Sequence, residues 1–147
     1  MASFSKLDQP SRKVFIKELY SCRNVEEWMN GDRGNLPLKS WSINRPDKRL
    51  ELSTVWIQGH VNKVSPEIDA ITIDDGSESV AVIGVSKVPQ SNQIHSGQYI
   101  MVIGSIGEMN LQFPVIEAIK IQDLSQHSSI SKSMWMLEII DAHLYGD

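Results

Sequence analysis

The chain has 147 residues, 41% hydrophobic and 22% charged, with a net charge of −4. These are the values of an ordinary soluble globular domain with enough length for a real core. A single cysteine, Cys22, rules out an internal disulfide framework and a cysteine-rich metal site. No apolar run reaches the roughly 18 residues of a membrane helix, so the cytosol or the nucleus is the expected compartment.

The charge is unevenly spread: residues 1–52 carry +3, residues 53–124 carry −5 and residues 125–147 carry −2. In the N-terminal segment, Lys13-Val14-Phe15-Ile16 reads as an extended lead-in, and residues 18–23 read as a short helical turn. One continuous helix with Val14, Phe15, Glu18 and Leu19 on a face is the alternative. Residues 24–35 are rich in Gly and Asn and read as a surface loop anchored by Trp28. Next, Trp41-Ser42-Ile43 and Leu50-Glu51-Leu52 flank the turn candidate Asn44-Arg45-Pro46-Asp47, which predicts a two-stranded ribbon with Trp41 packed inside.

Five strands follow. Val55-Trp56-Ile57-Gln58-Gly59-His60-Val61 alternates with a two-residue period, placing Val55, Ile57, Gly59 and Val61 on one face. Gly59 on that inner face lets the strand bend as barrel closure demands. Ala70-Ile71-Thr72-Ile73 and Ser79-Val80-Ala81-Val82-Ile83 are joined through Asp74-Asp75-Gly76-Ser77, a hairpin signal that accounts for both acids as turn formers. After an irregular connection, Ser96-Gly97 leads into Tyr99-Ile100-Met101-Val102-Ile103-Gly104-Ser105-Ile106, with a second mid-strand glycine. Residues 115–124 supply the fifth strand. The pattern predicts an all-β chain: a single five-stranded OB-fold barrel over residues 53–124, an N-terminal extension over 1–52, and a linker and C-terminal α-helix over 125–147. That helix is capped at Ser131 or Ser133 and runs to about Leu144. Leu137, Ile140 and Leu144 form one stripe, while Met134, Trp135, Met136 and Ile139 add apolar surface beyond it. One docked face would not need so much, so a helix from a second chain is the expected cover.

The chemistry of catalysis is not legible. His60, His95, His127 and His143 are scattered without ligand spacing, and no phosphate-cradling Gly-rich loop is present. Nor does the barrel read as a nucleic-acid binder. The outward positions of its second and third strands are Ala70, Thr72, Asp74, Ser79 and Ala81, and the loop Ser65-Pro66-Glu67-Ile68-Asp69 carries two acids and no base.

Val55-Trp56-Ile57-Gln58-Gly59-His60-Val61 and Tyr99-Ile100-Met101-Val102-Ile103-Gly104 resemble the barrel of the RecQ-mediated genome instability protein 2 family. The tail is more specific: Glu117-Ala118-Ile119-Lys120-Ile121-Gln122-Asp123-Leu124-Ser125 and Trp135-Met136-Leu137-Glu138 are similar to that family's end, and also to the middle subunit of replication protein A. The resemblance implies a non-enzymatic nuclear subunit with no cofactor and no direct nucleic-acid contact. Its partners would be RecQ-mediated genome instability protein 1, type IA topoisomerase III-alpha and a Bloom-type RecQ helicase, acting in double Holliday junction dissolution and crossover suppression. The expected partner-binding residues are Trp135, Leu137, Ile140 and Leu144 on the helix. Lys120 alternates with Ile119 and Ile121, which puts it on the opposite, outward face with Ala118 and Gln122. The family has a lysine matching Lys120, associated with recruiting the two enzymes; as a plain surface residue it would blunt an edge strand. The competing reading is a single-stranded DNA-binding subunit of a replication protein A-like or telomere-capping complex.

Overall fold

The computed structural model describes residues 11–31, 34–46, 48–89, 93–107 and 113–145, with residues 23–31, 34–40 and 144–145 described by their backbone alone. Its elements are β1 (Arg12–Lys13), α1 (Ile16–Leu19), β2 (Arg23–Gly31), β3 (Gly34–Arg45), β4 (Lys48–Leu52), β5 (Thr54–Ser65), β6 (Ala70–Asp74), β7 (Ser79–Ile83), β8 (Tyr99–Ile106), β9 (Val115–Asp123) and α2 (Ser128–Tyr145). The larger sheet runs β1-β5-β6-β7-β9-β8, and β8 pairs back onto β5. The five strands from β5 onward therefore close on themselves as the OB-fold barrel, with β1 laid parallel outside β5. The alternation in β5 buries Val55, Ile57 and Val61 together with Ile71, Ile73, Val80, Val82, Ile100, Val102 and Ile116.

Both mid-strand glycines mark places where backbones meet. A Cβ on Gly59 would lie 2.5 Å from the Asp74 carbonyl oxygen, and one on Gly104 would lie 2.5 Å from the Glu117 carbonyl oxygen and from Ile116 Cγ2. The expected bend at Gly59 is thus a close approach: the start of the β6–β7 turn crosses directly over it.

The N-terminal segment differs from its sequence reading. The extended lead-in shrinks to Arg12–Lys13 and the helix begins at Ile16. The reason lies at the helix start: Glu18 reaches back to accept the Phe15 N–H at 3.0 Å, while Asp75 accepts Ile16 N–H at 2.8 Å and Ser77 Oγ accepts Lys17 N–H at 3.1 Å. The barrel's hairpin turn caps the short helix. The supposed loop over 24–35 is a hairpin, with β2 and β3 paired from Arg23↔Ser42 to Gly31↔Gly34. Gly31, Gly34, Asn30 and Asn35 sit at the hairpin's tip, while Asn24 pairs with Trp41 at its other end. The ribbon of β3 and β4 forms as expected, pairing Trp41↔Leu52 and Ile43↔Leu50, and Trp41 is buried. Val14, Ile16, Leu19, Trp41, Ile43, Leu50 and Leu52 belong to the same core as the barrel strands.

Two further corrections concern the C-terminal third. The register slips between Ile103 and Gly104, which pair with Lys120 and Ala118, so Ile119 is the extra residue of a bulge. Ala118, expected to share an outward face with Lys120, packs instead against the core, while Lys120 is exposed. The helix starts at Ser128, not at Ser131 or Ser133, after a single 3₁₀ turn over Ser125–His127. Ser133 caps nothing; its hydroxyl donates to the Ser129 carbonyl one turn back, at 3.0 Å.

Candidate functional site

Two apolar faces share α2. Trp135, Ile139 and Ala142 recur at i, i+4 and i+7 and are buried. Trp135 lies on Trp56 of β5, ring centres 5.8 Å apart and planes 32° from parallel. Trp56 therefore uses the strand face opposite the barrel core to seat the helix. Lys13 spans the same joint: its ammonium is 4.8 Å from the centre of the Trp56 ring and 3.0 Å from a Glu138 carboxylate oxygen. A turn further on, His143 Nε2 stands 3.3 Å from Glu18 Oε2, and its ring meets Phe15 edge-on at 6.2 Å. Glu18 also accepts from Arg45 Nε at 3.2 Å, and Arg45 Nη2 donates to the Lys13 carbonyl at 2.8 Å. With its side chain only 1% exposed, Arg45 joins the β3–β4 turn, the N-terminal turn and the terminal helix into one joint.

The expected partner-binding set is split by this geometry. Trp135 is 3% exposed and faces its own barrel, which corrects its assignment to an outward contact: the ring that covers it is Trp56. Leu137 and Ile140 are 60% and 42% exposed, on the opposite side of the helix. Met134 and Ile130 extend the same exposed stripe about one and two turns earlier. Leu144 falls in the last turn, outside the residues whose side chains are described. The sequence reading missed Ile130, whose spacing to Met134 and Leu137 was available, and Arg45, which it treated as a turn residue.

The face where OB-folds hold single strands presents Thr72, Asp74, Ser79 and Ala81, partly exposed, beside the exposed Ile68. Ala70, expected outward, is buried. Asp69 takes the left-handed conformation and holds Ser86 through both its N–H and its hydroxyl, at 2.8 Å each. Bordering β7, two exposed aromatic rings meet edge-on: Tyr20 and Phe113, 6.5 Å apart, with the Tyr20 hydroxyl donating to the Ser79 carbonyl at 2.6 Å. Tyr20 comes from the N-terminal segment, so strand periodicity gave no sign of it.

A cleft of about 260 Å³ opens between the barrel and α2, walled in part by His60, Tyr99 and Trp135. His60 and Tyr99 pack edge-to-face at 5.0 Å, and the Tyr99 hydroxyl donates to Gln58 Oε1 at 3.2 Å. Burial first, and the Asp75 carboxylate second, push the Tyr99 phenol up to about 12. Among the described residues no three His, Cys, Asp or Glu side chains stand together to hold a metal ion. Burial pushes the Cys22 thiol up to about 11, so it stays protonated near neutral pH.

Comparison with known proteins gives the arrangement its context. The family described as RecQ-mediated genome instability protein 2 matches residues 10–143. The protein of that name from Gallus gallus is 33% identical over 109 residues, covering 71% of this chain and 78% of its own length. The Bos taurus protein is 33% identical over 108 residues, covering 71% and 66% respectively. Among solved structures, a replication protein A heterotrimer bound to single-stranded DNA contains a chain that superposes with a TM-score of 0.63 at 17% identity, covering 92% of this chain and 97% of that one. Telomere capping protein Ten1 from Saccharomyces pombe superposes with a TM-score of 0.53 at 11% identity, over 89% of this chain and 99% of that one. These two likenesses concern the OB-fold alone. The match of residues 10–143 runs through the N-terminal turn, the barrel and the terminal helix, and the chain belongs to the RecQ-mediated genome instability protein 2 family.

Proposed function

We propose that the chain is a non-enzymatic adaptor of the nucleus that pairs through α2 with RecQ-mediated genome instability protein 1. In this reading the pair then serves a type IA topoisomerase III-alpha and a Bloom-type RecQ helicase in dissolving double Holliday junctions and suppressing crossovers. The observation that carries the reading is the second apolar face of α2. Ile130, Met134, Leu137 and Ile140 are 42–64% exposed along one side of a helix whose other side is already seated on Trp56. Contiguous exposed apolar surface on a soluble chain marks a contact surface. Lys120, exposed on β9 and away from that helix stripe in sequence, is proposed as the contact for the larger enzymes.

Co-expression with the second OB-fold chain followed by size-exclusion chromatography tests the pairing. Ile140→Asp puts a charge into the contact, and an unpaired buried charge is costly enough to break it. Loss of co-elution with an unchanged circular dichroism spectrum is the expected result; co-elution of the variant would move the pairing surface elsewhere.

A second reading, a single-stranded DNA-binding subunit, has the exposed Tyr20–Phe113 pair in its favour, since aromatic rings beside a barrel serve as stacking platforms. Against it stands the net −5 of residues 53–124, because phosphate attraction supplies most non-specific affinity. Negligible fluorescence anisotropy change with an oligonucleotide at physiological salt is expected; tight binding there would favour the second reading.

A further inference from the structure

The cleft between the barrel and α2 has an unmet chemistry that the helix contact does not explain. Its aromatic wall comes from three elements and the segment before α1: His60, Tyr99, Trp135 and Phe15. On its barrel side lie Asp74 and Asp75. The Asp75 oxygens are occupied by the N–H groups of Ile16, Ser77 and Glu78 and by the Ser77 hydroxyl. Asp74 spends Oδ1 on the Gly76 N–H at 2.7 Å, and its Oδ2 has no hydrogen-bond partner among the described residues. Neither carboxylate is in an ion pair within the described residues. Two carboxylates beside an aromatic wall suit a group that carries a positive charge.

We propose that this cleft receives an arginine side chain from a partner polypeptide. A guanidinium is planar, so it can lie against aromatic rings and still present its fork of donors to a carboxylate such as Asp74. At about 260 Å³ the cleft is smaller than the usual 300–1,000 Å³ of sites for drug-sized molecules, and suits one long side chain. An anionic ligand fits poorly, because the two carboxylates face a single cation in the lining, Lys132. Lys132 is exposed on α2 and makes no ion pair among the described residues. It acts as an electrostatic opponent of the ligand. The inference stands apart from the helix pairing, whose residues lie on the other side of α2.

The test uses the full chain, labelled with ¹⁵N, titrated at neutral pH with N-acetyl-arginine methylamide and, in parallel, with the lysine and norleucine analogues. The arginine compound should shift the Trp135 indole resonance saturably with a millimolar dissociation constant, the lysine analogue should bind more weakly, and the norleucine analogue should not shift it. Asp74→Asn keeps an oxygen for the Gly76 N–H but removes the charge, and should weaken binding by roughly fivefold. Lys132→Ala should tighten it by a similar factor. If Asp74→Asn loses the turn, the Lys132→Ala arm decides alone. Unsaturable shifts, equal response to norleucine, or weaker binding by Lys132→Ala would overturn the proposal.

Discussion

Replacing Trp135 with alanine separates the inner face of α2 from the outer one. Trp135 is 3% exposed, so almost its whole side chain leaves water when the helix docks. Truncating a buried Trp to Ala costs about 3–5 kcal/mol, part of which is the ring pairing with Trp56. Against a total stability of about 5–15 kcal/mol this is a large fraction. What remains to hold the helix is Ile139 and Ala142, the Lys13–Glu138 pair and the Glu18–His143 contact. Burying one Ile contributes about 1.5–3 kcal/mol, and half-exposed ion pairs contribute about 0–1 kcal/mol each. An isolated 18-residue helix is marginal in water by itself. The loss is therefore comparable to everything left holding α2 in place.

The expected outcome is undocking of the helix ahead of the barrel. In Trp135→Ala the far-ultraviolet helical signal should fall at a lower temperature than the barrel transition, and α2 amides should lose protection from hydrogen exchange while β5 and β8 amides keep theirs. Leu137→Ala, at a position 60% exposed, should leave both within about 0.5 kcal/mol of the parent. Equal behaviour of the two variants, or an unchanged helix in Trp135→Ala, would refute the seating of α2 on Trp56.

Gly104→Ala should destabilise the barrel by about 3 kcal/mol or more, read from the denaturation midpoint, because its Cβ would meet the Glu117 carbonyl and Ile116 at 2.5 Å. Gly76→Ala, with open space but φ +91°, should cost only about 1–2 kcal/mol. Asp123 is held below the usual carboxylate range chiefly by the Ser125 hydroxyl, at 2.5 Å, and then by the Ser125 N–H. A lowered folded-state pKa means stabilisation that is present above the unfolded value and lost as pH falls through the folded one. Ser125→Ala should therefore move the Asp123 titration, followed by NMR, back toward the ordinary range and flatten that acid-side loss. Lys120→Ala should change stability by no more than about 0.5 kcal/mol while weakening capture of the topoisomerase and helicase; a drop of many degrees in melting temperature would make Lys120 structural.

The barrel was legible because its strands alternate and its turns announce themselves: Asp74-Asp75-Gly76-Ser77 and Ser96-Gly97 lie between runs whose apolar positions fall on one face. Positions decided by pairing across the sheet were not. The bulge at Ile119 shifts the facing of Ala118 by one residue, and nothing in the local sequence marks it. Arg45 is buried by Glu18 and the Lys13 carbonyl, both about thirty residues earlier in the chain. Composition misled at residues 24–35, where Asn30, Gly31, Gly34 and Asn35 cluster at a hairpin tip.

The split of α2 is the instructive case. A helix with apolar residues on most of its circumference does not declare which side docks at home, and its sequence alone gave Trp135 and Leu137 the same standing. The deciding signal lay elsewhere, in β5. Val55-Trp56-Ile57 is apolar on both faces of a strand, and a barrel can bury only one of them. Trp56 therefore required a cover outside the barrel core, and α2 supplies it. Of the apolar residues on α2, Trp135 is the one whose flat ring fills that seat, with Lys13 bridging Trp56 to Glu138 beside it. Once that side is assigned, Ile130, Met134, Leu137 and Ile140 are left facing solvent by geometry, and the proposed pairing rests on that exposure.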